Sequence, residues 1–463
     1  MDKSSAARSP LLGIFLVTSQ QPSLINTEVK DMLDITLFRE KPDIIRESER
    51  RRFKDPSKVD KVVELDDLWR KKRKEADELR QERNTIQKQI GALRKAGKKD
   101  EAVAIQDRVK ELKTLIAQAE AEADKAEQDR DTVRYSIGNL IPDSVPVAEG
   151  EEGNVVVRTW GTPVQPTFHK GHADLVEWLN LVDLNKAAEV AGSRTYYLRG
   201  DLVFLNIALV QFALRFLVDE RGYTPFWTPY FLRKEIMHKA AELGDLEEQL
   251  YQDPNEDIFL IATSEQPLAA LHYNEILEED DLPFRYAGFS TNFRREAGAH
   301  GRDTKGIFRV HQFDKVEQFI YAHPDQAWEL HEELIANAEE LFRRLELPHR
   351  VVNIASGELN DNASKKYDLE VWFPTQQTYR EMVSCSNCTD FQGRKLNIRI
   401  GRVGTDKEKI ICHTLNSTAV ATERTICAIL ENFQQEDGTI KLPKALHPFM
   451  GGQTEIRPVL QDQ

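Results

Sequence analysis

The chain has 463 residues, 40% of them apolar and 30% charged, with a formal net charge of -14. That length supports two or three domains with at least one large core. The acidic balance excludes a uniformly basic coat for nucleic acid but leaves local basic stretches open. No apolar run approaches the roughly 20 residues that span a bilayer. Four cysteines in this length argue against a disulfide scaffold and fit a reducing compartment. Residues 1–31 combine Lys3, Arg8 and a short apolar run at 11–17. They read as a disordered extension ahead of a second start at Met32, with a targeting segment as the alternative.

Residues 33–53 read as a small helical lead-in, and Asp55-Pro56-Ser57 as a helix start. Trp69, Lys72, Ala76, Leu79, Arg83, Ile86, Ile90 and Leu93 then alternate at spacings of three and four. After Gly97 the pattern resumes at Ala102, Ile105, Val109, Leu112, Ile116, Ala119, Ala123 and Ala126. This is a heptad seam on two helices, and the short glycine break predicts an antiparallel hairpin over about 60–135. The seam is thin and the outer faces are charged, so the hairpin should project as an arm of roughly 50 Å. Its basic residues, among them Lys71, Arg73, Arg80, Arg94, Lys98 and Lys99, suit a lever gripping an anionic partner, or simply a solvated coiled coil or a dimerisation device.

The stretch 142–154 is rich in Pro, Gly and Glu and reads as a linker. Strands follow at 155–157, 196–200 and 224–231, with an amphipathic helix over 201–221 between the last two. Further strands are expected at 258–262, 284–292, 309–321, 351–354, 367–373 and 379–384. Helices are expected at 324–346 and near 418–433. Successive strands without regular crossover helices predict an α+β fold with a mainly antiparallel sheet flanked by helices.

The run Phe293-Arg294-Arg295-Glu296-Ala297-Gly298 ends one strand, and a second begins near Gly306. Arginine holds phosphate through a planar fork. Alternation places Arg309, His311, Phe313 and Glu317 on one face. An arginine, an aromatic and a carboxylate there suit phosphate, adenine and ammonium, or equally a charged sheet face with cross-strand ion pairs. Thr263-Ser264-Glu265 closes another strand, and Asn416 or Ser417 reads as the cap of the last helix. Cys385 and Cys388 form a CxxC with no second close pair, so no structural zinc is expected.

In order, the arm, Gly222-Tyr223-Thr224-Pro225 with Pro229, Thr263-Ser264-Glu265, the FRREAG run with its return strand, Glu381 to Cys388 and Asn416 to Arg424 resemble the seryl-tRNA synthetases of class II. The resemblance runs from Met32 to the C-terminus. It implies a tRNA-binding domain at 32–145 and a catalytic domain at 155–463. The implied activity is ATP-dependent formation of seryl-adenylate and transfer to tRNA(Ser), with tRNA(Sec) where present. It implies a serine pocket of Thr263, Ser264, Glu265, Glu317, Asn416 and Thr418. ATP contacts are implied from Arg294, Arg295, Glu296, Arg309, Val310, Phe313, Glu381, Met382, Val383, Ser384 and Arg424, with Arg294 and Arg424 catalytic. It further implies Mg2+ with ATP at Glu381 and Ser384, a loop at 297–306 meeting the acceptor end, and a homodimer. Cytoplasmic location is expected, or mitochondrial if 1–31 is a targeting segment. Non-catalytic relatives usually lose these residues, and here they are present.

Overall fold

The computed structural model describes residues 33–241, 247–297, 303, 305–402, 404 and 409–458. The expected extension over 1–31 lies outside them.

Helices come first: α1 (Ile35–Glu40), α2 (Pro42–Arg51), α3 (Ser57–Lys95), α4 (Lys99–Ala104) and α5 (Gln106–Arg134). Asp55 starts α3 by accepting hydrogen bonds from the Ser57 amide and hydroxyl, at 2.9 and 2.7 Å. At 39 residues α3 is about 58 Å long. It pairs with α5 along the expected seam, where Ala76, Ile90, Leu112, Ile116, Ala119, Ala123 and Ala126 are buried. Alanines on α5 bring the helices close, and Lys72 reaches Glu122 across the seam at 2.7 Å. Gly97, at φ +77°, takes the left-handed turn that ends α3.

The arm has a built root. Phe38, Ile45, Val59, Val62, Ile137 and Leu140 form one apolar cluster. Beside it buried Asp66 is held by Arg39 at 2.7 Å and by Arg130 at 3.1 Å. Arg52 donates to the carbonyls of Asn139 and Asn360, and the Asn139 amide donates to the carbonyls of Asn362 and Cys388 and to the Thr389 hydroxyl. The stretch 142–154 is no loose linker. Ile141 and Val145 bury against Val352, Ile354 and Leu359, and Pro146 and Ala148 accept hydrogen bonds from the Ser356 and Gly357 amides. Apolar side chains spaced among the prolines pull it onto the sheet.

An eight-stranded sheet forms the rest of the framework: β1 (Val155–Trp160), β2 (Thr224–Trp227), β3 (Phe284–Phe293), β4 (Gln312–Ala322), β5 (His349–Asn353), β6 (Lys365–Phe373), β7 (Thr378–Thr389) and β8 (His413–Ala421). Their order is β1-β5-β6-β7-β8-β4-β3-β2, antiparallel throughout except for β2 on β3. The helices α6 (Asp201–Arg215), α7 (Ala327–Arg344) and α8 (Thr422–Phe433) pack on it. The stretch from α6 to Glu220 is the one described helix apolar enough to cross a membrane by length and composition. It instead buries Leu205, Leu209, Phe212 and Phe216 in the largest core cluster.

Three expectations change. The strand at 224–231 splits: after β2 the chain breaks at Thr228-Pro229-Tyr230, and Phe231–Arg233 joins a separate sheet with Ile258–Leu260. The return strand begins at Gln312, not near Gly306, because His311 and Arg309 still lie in the incoming loop. The last helix begins at Thr422, so Asn416 and Ser417 are not caps. Both sit in central, fully buried strand β8, where β4 and β7 satisfy the backbone on either side.

Candidate active site

β3 delivers Arg294 one residue past its last paired position, and the chain returns with the His311 carbonyl accepting from the Arg294 amide at 2.9 Å. The His311 ring also bonds the Arg294 carbonyl, at 2.8 Å. His311 therefore closes the hairpin and does not share a face with Phe313. On β4 that face carries Phe313, Lys315 and Glu317. Beside them β8 presents Asn416 and Thr418, and β7 presents Ser384 and Ser386. A cavity of about 440 Å³ opens over these side chains.

At one end of the cavity lie Thr263, Glu265, Lys315, Glu317, Asn416 and Thr418. Glu265 Oε1 accepts from Gln392 at 2.8 Å and from Asn416 at 3.1 Å. Glu317 Oε2 is 2.5 Å from Lys315 Nζ and accepts from the Thr418 hydroxyl at 3.4 Å. Burial and the neighbouring Glu317 push the Glu265 carboxyl up to about 7. Burial also raises Glu317, against the pull of Lys315, Arg294 and Thr418. Two carboxylates with one resident cation form a site short of positive charge.

The other end is cationic. Arg294, Arg309 and Arg424 line it with Glu296, Val310, Phe313, Glu381, Met382 and Ser384. The Arg294 guanidinium lies 5.2 Å from the Phe313 ring centre. Burial and then Arg424 pull its pKa below the usual arginine range. Arg309 pairs with Glu296 at 2.8 Å, yet among the described residues its buried Nε has no hydrogen-bond partner. Glu296 holds φ +50°, a conformation that costs a non-glycine residue energy and aims its side chain at Arg309. Burial opposes ionisation of Glu381, but the cations Arg424, Lys366, Arg294 and Arg309 outweigh it and hold the carboxyl below its ordinary value. Cations converging on one concave end suit a polyphosphate.

Three expected contacts lie off the cavity wall. Ser264 is buried behind it and donates to the Gly288 carbonyl at 3.3 Å. Arg295 is exposed, its amide bonded to the Gln249 carbonyl. Val383 points into the core on the opposite face of β7 from its neighbours. Cys385 packs at the His331 carbonyl on α7, whereas Cys388 touches Asn416 on the cavity side. Among the described residues no group of three or more His, Cys, Asp or Glu is placed to hold a metal ion.

Lys315, Lys366, Asn360, Asn362 and Glu423 also line the cavity and are not among the residues expected from the sequence. Lys315 was visible in principle, being two residues from both Phe313 and Glu317 on a strand. Asn360 and Asn362 were not, because a loop brings them in from between β5 and β6. Glu423 is locked by Tyr196, by the Asp314 amide and by the Thr422 hydroxyl, and burial with Asp314 nearby pushes its carboxyl up to about 7.

The geometry has a known counterpart. Residues 32–141 match the family described as seryl-tRNA synthetase N-terminal domain, and 247–433 match the tRNA synthetase class II core domain (G, H, P, S and T). A serine–tRNA ligase of Methanosphaera stadtmanae is 50% identical over 426 residues, covering 92% of this chain and 99% of its own. One of Helianthus annuus is 51% identical over 432 residues, covering 91% of this chain and 98% of its own. The chain belongs to the seryl-tRNA synthetases. The crystal structure of the Pyrococcus horikoshii enzyme complexed with ATP superposes with a TM-score of 0.87 at 45% identity, covering 92% of this chain and all of that one. As a member of this family the chain is an ATP-dependent serine–tRNA ligase: it activates serine as the adenylate, releases diphosphate and transfers serine to tRNA.

Proposed function

We propose that the two ends of the cavity divide the reaction between them. The acidic end, formed by Thr263, Glu265, Glu317, Asn416 and Thr418, takes serine. The cationic end, formed by Arg294, Glu296, Arg309, Val310, Phe313, Glu381, Met382, Ser384 and Arg424, takes ATP. The observation that carries this is Arg294, which lines the cavity beside Phe313 and contributes to the field at both Glu265 and Glu381. A serine carboxylate oxygen attacks the α-phosphorus, and the bond to the β-phosphate oxygen breaks as diphosphate leaves. Two anions must approach, and a guanidinium between them offsets their repulsion. No protein base is needed, since the carboxylate is already ionised. In the second step a ribose hydroxyl of the tRNA end attacks the seryl carbonyl carbon and AMP leaves, its phosphate able to take the hydroxyl proton.

Glu381 and Ser384 offer two hard oxygen donors at the cationic end, and these would hold a magnesium ion accompanying the nucleotide. When bound it neutralises charge on the phosphates. The chain divides into a tRNA-binding part at 32–145 and a catalytic part at 155–463. The arm grips tRNA(Ser), and tRNA(Sec) where present, by shape and backbone charge. The loop over 297–306 meets the acceptor end. A second copy of the chain covers the exposed Val203, Phe204 and Ile207 of α6 and the exposed Trp227 of edge strand β2. Location in the cytoplasm is supported by the Arabidopsis thaliana relative, 47% identical, which carries "cytoplasmic" in its name.

Serine-dependent exchange of diphosphate into ATP tests the pocket assignment. It should be robust in the intact chain and lost, by on the order of a thousandfold or more, in Arg294→Ala, with unfolding by denaturant unchanged. Retained exchange in that variant means that Arg294 does not bridge the two anions.

A further inference from the structure

Resting on the serine pocket just proposed, we infer that Lys315 is a positioning residue for serine recognition: its ammonium fixes one oxygen of Glu317 so that the other is presented to the substrate hydroxyl. Lys315 is only 7% exposed and lines the cavity. It stands on β4 one side-chain step from Glu317, opposite Ser290 on β3 and Ala421 on β8. Its Nζ lies 2.5 Å from Glu317 Oε2, the same oxygen that accepts from Thr418. A lysine side chain has many rotamers, and burying its charge is costly unless it is paired. Its pairing here is with a neighbour on the same strand face rather than with solvent.

The two glutamates of the pocket are tethered differently. Glu265 Oε1 is held by two neutral amides, from Gln392 and Asn416. Glu317 Oε2 is held by a cation. Glu317 is thus in direct contact with a cation, while Glu265 feels Lys315 and Arg294 only from a distance. A serine ammonium is drawn to the carboxylate that has no cation bound to it. The paired one then serves as a fixed hydrogen-bond acceptor, and with Thr418 beside it reads the hydroxyl. A site built to bond a hydroxyl rejects the analogue that lacks it, because its own polar groups are left unpaired. That rejection requires the acceptor to be held in place, which is what Lys315 does.

The test uses the full-length enzyme and two non-reactive ligands, the sulfamoyl analogues of seryl- and alanyl-adenylate, with dissociation constants from calorimetry. The wild-type chain should prefer the seryl analogue strongly. In Lys315→Met that preference should shrink by about tenfold or more, while the affinity for ATP alone moves by no more than about twofold. Lys315→Arg, which restores a cation, should recover most of the preference. A merely structural role weakens both analogues together and leaves their ratio unchanged, and that result overturns the proposal. If Lys315→Met does not fold, Lys315→Gln decides: it keeps a polar chain without the charge and must show the same loss of preference. A wild-type chain with no preference for the seryl analogue instead sinks the pocket assignment beneath it.

Discussion

Glu265 sets the pH behaviour of the acidic end. Its carboxyl is pushed up to about 7 by burial and by Glu317. Below that pH the protonated form dominates in the free protein, whereas a serine ammonium in the proposed pocket needs the ionised form. KM for serine should rise as pH falls through about 7, by roughly tenfold per unit below it, with KM for ATP much flatter. The same linkage acts on stability. A carboxyl raised by folding contributes stability that is full below the ordinary carboxylate range and lost as pH rises through about 7. Bound seryl-adenylate analogue supplies the missing cation, so it should raise the melting temperature more at pH 8 than at pH 6, roughly the two sides of that transition. A second residue-scale expectation concerns Gly288, which pairs with Glu317 across β3 and β4. An added Cβ would meet Leu268 Cδ1 at 2.6 Å and Ser264 Oγ at 3.1 Å. Gly288→Ala should cost about 1–3 kcal/mol in urea unfolding. It should also raise KM for serine by displacing the turn that carries Thr263 and Glu265.

At the scale of elements, much of the fold was legible because its periodicities are strong. The heptad seam was readable along α3 and α5, since hydrophobic spacing of three and four has few other solutions, but not the break at Ile105 that divides the second limb into α4 and α5. The errors fall where tertiary context overrides local signals. Asn416 and Ser417 look like caps next to a helical run, but a buried strand between β4 and β7 satisfies their backbone better than a helix start would. Thr263, Glu265, Glu317 and Thr418 could be gathered into one pocket only through family resemblance, because no sequence spacing states that β8 lies beside β4. Asn360 and Asn362 were beyond reach for the same reason. The arm is the element most open to test. Removing 74–122 and closing the gap with a short turn keeps the Asp66–Arg130 pair at the root. Diphosphate exchange should persist within about twofold, and tRNA charging at normal salt should fall by on the order of a hundredfold or more, as expected when several phosphate contacts are lost.

At the scale of the whole molecule, the root of the arm meets the cavity through the loop at 360–363 and the end of β7. The Asn139 amide donates to the Asn362 carbonyl at 3.0 Å, to the Cys388 carbonyl at 2.8 Å and to the Thr389 hydroxyl at 2.9 Å. Arg52 reaches the carbonyls of Asn360 and Ala363, and Lys54 pairs with Asp361. Asn360 and Asn362 themselves line the cavity, and Cys388 touches Asn416. Asn139→Ala leaves buried carbonyls unpaired and should cost roughly 1–3 kcal/mol in denaturant unfolding. Charging of tRNA should suffer more than diphosphate exchange, which a steady-state comparison of the two assays reads directly.

This root has a consequence in plain mechanics. For a rod of about 58 Å, each degree of slack at the base sweeps the tip through roughly 1 Å. Hydrogen-bond recognition tolerates only a few tenths of an ångström, and one exposed ion pair at the base would leave the far end wandering by many times that. A guanidinium, a buried amide and an apolar cluster clamped to the sheet reduce that slack at its source. The pointing accuracy of the arm is therefore set where it is thickest, tens of ångströms from whatever it touches.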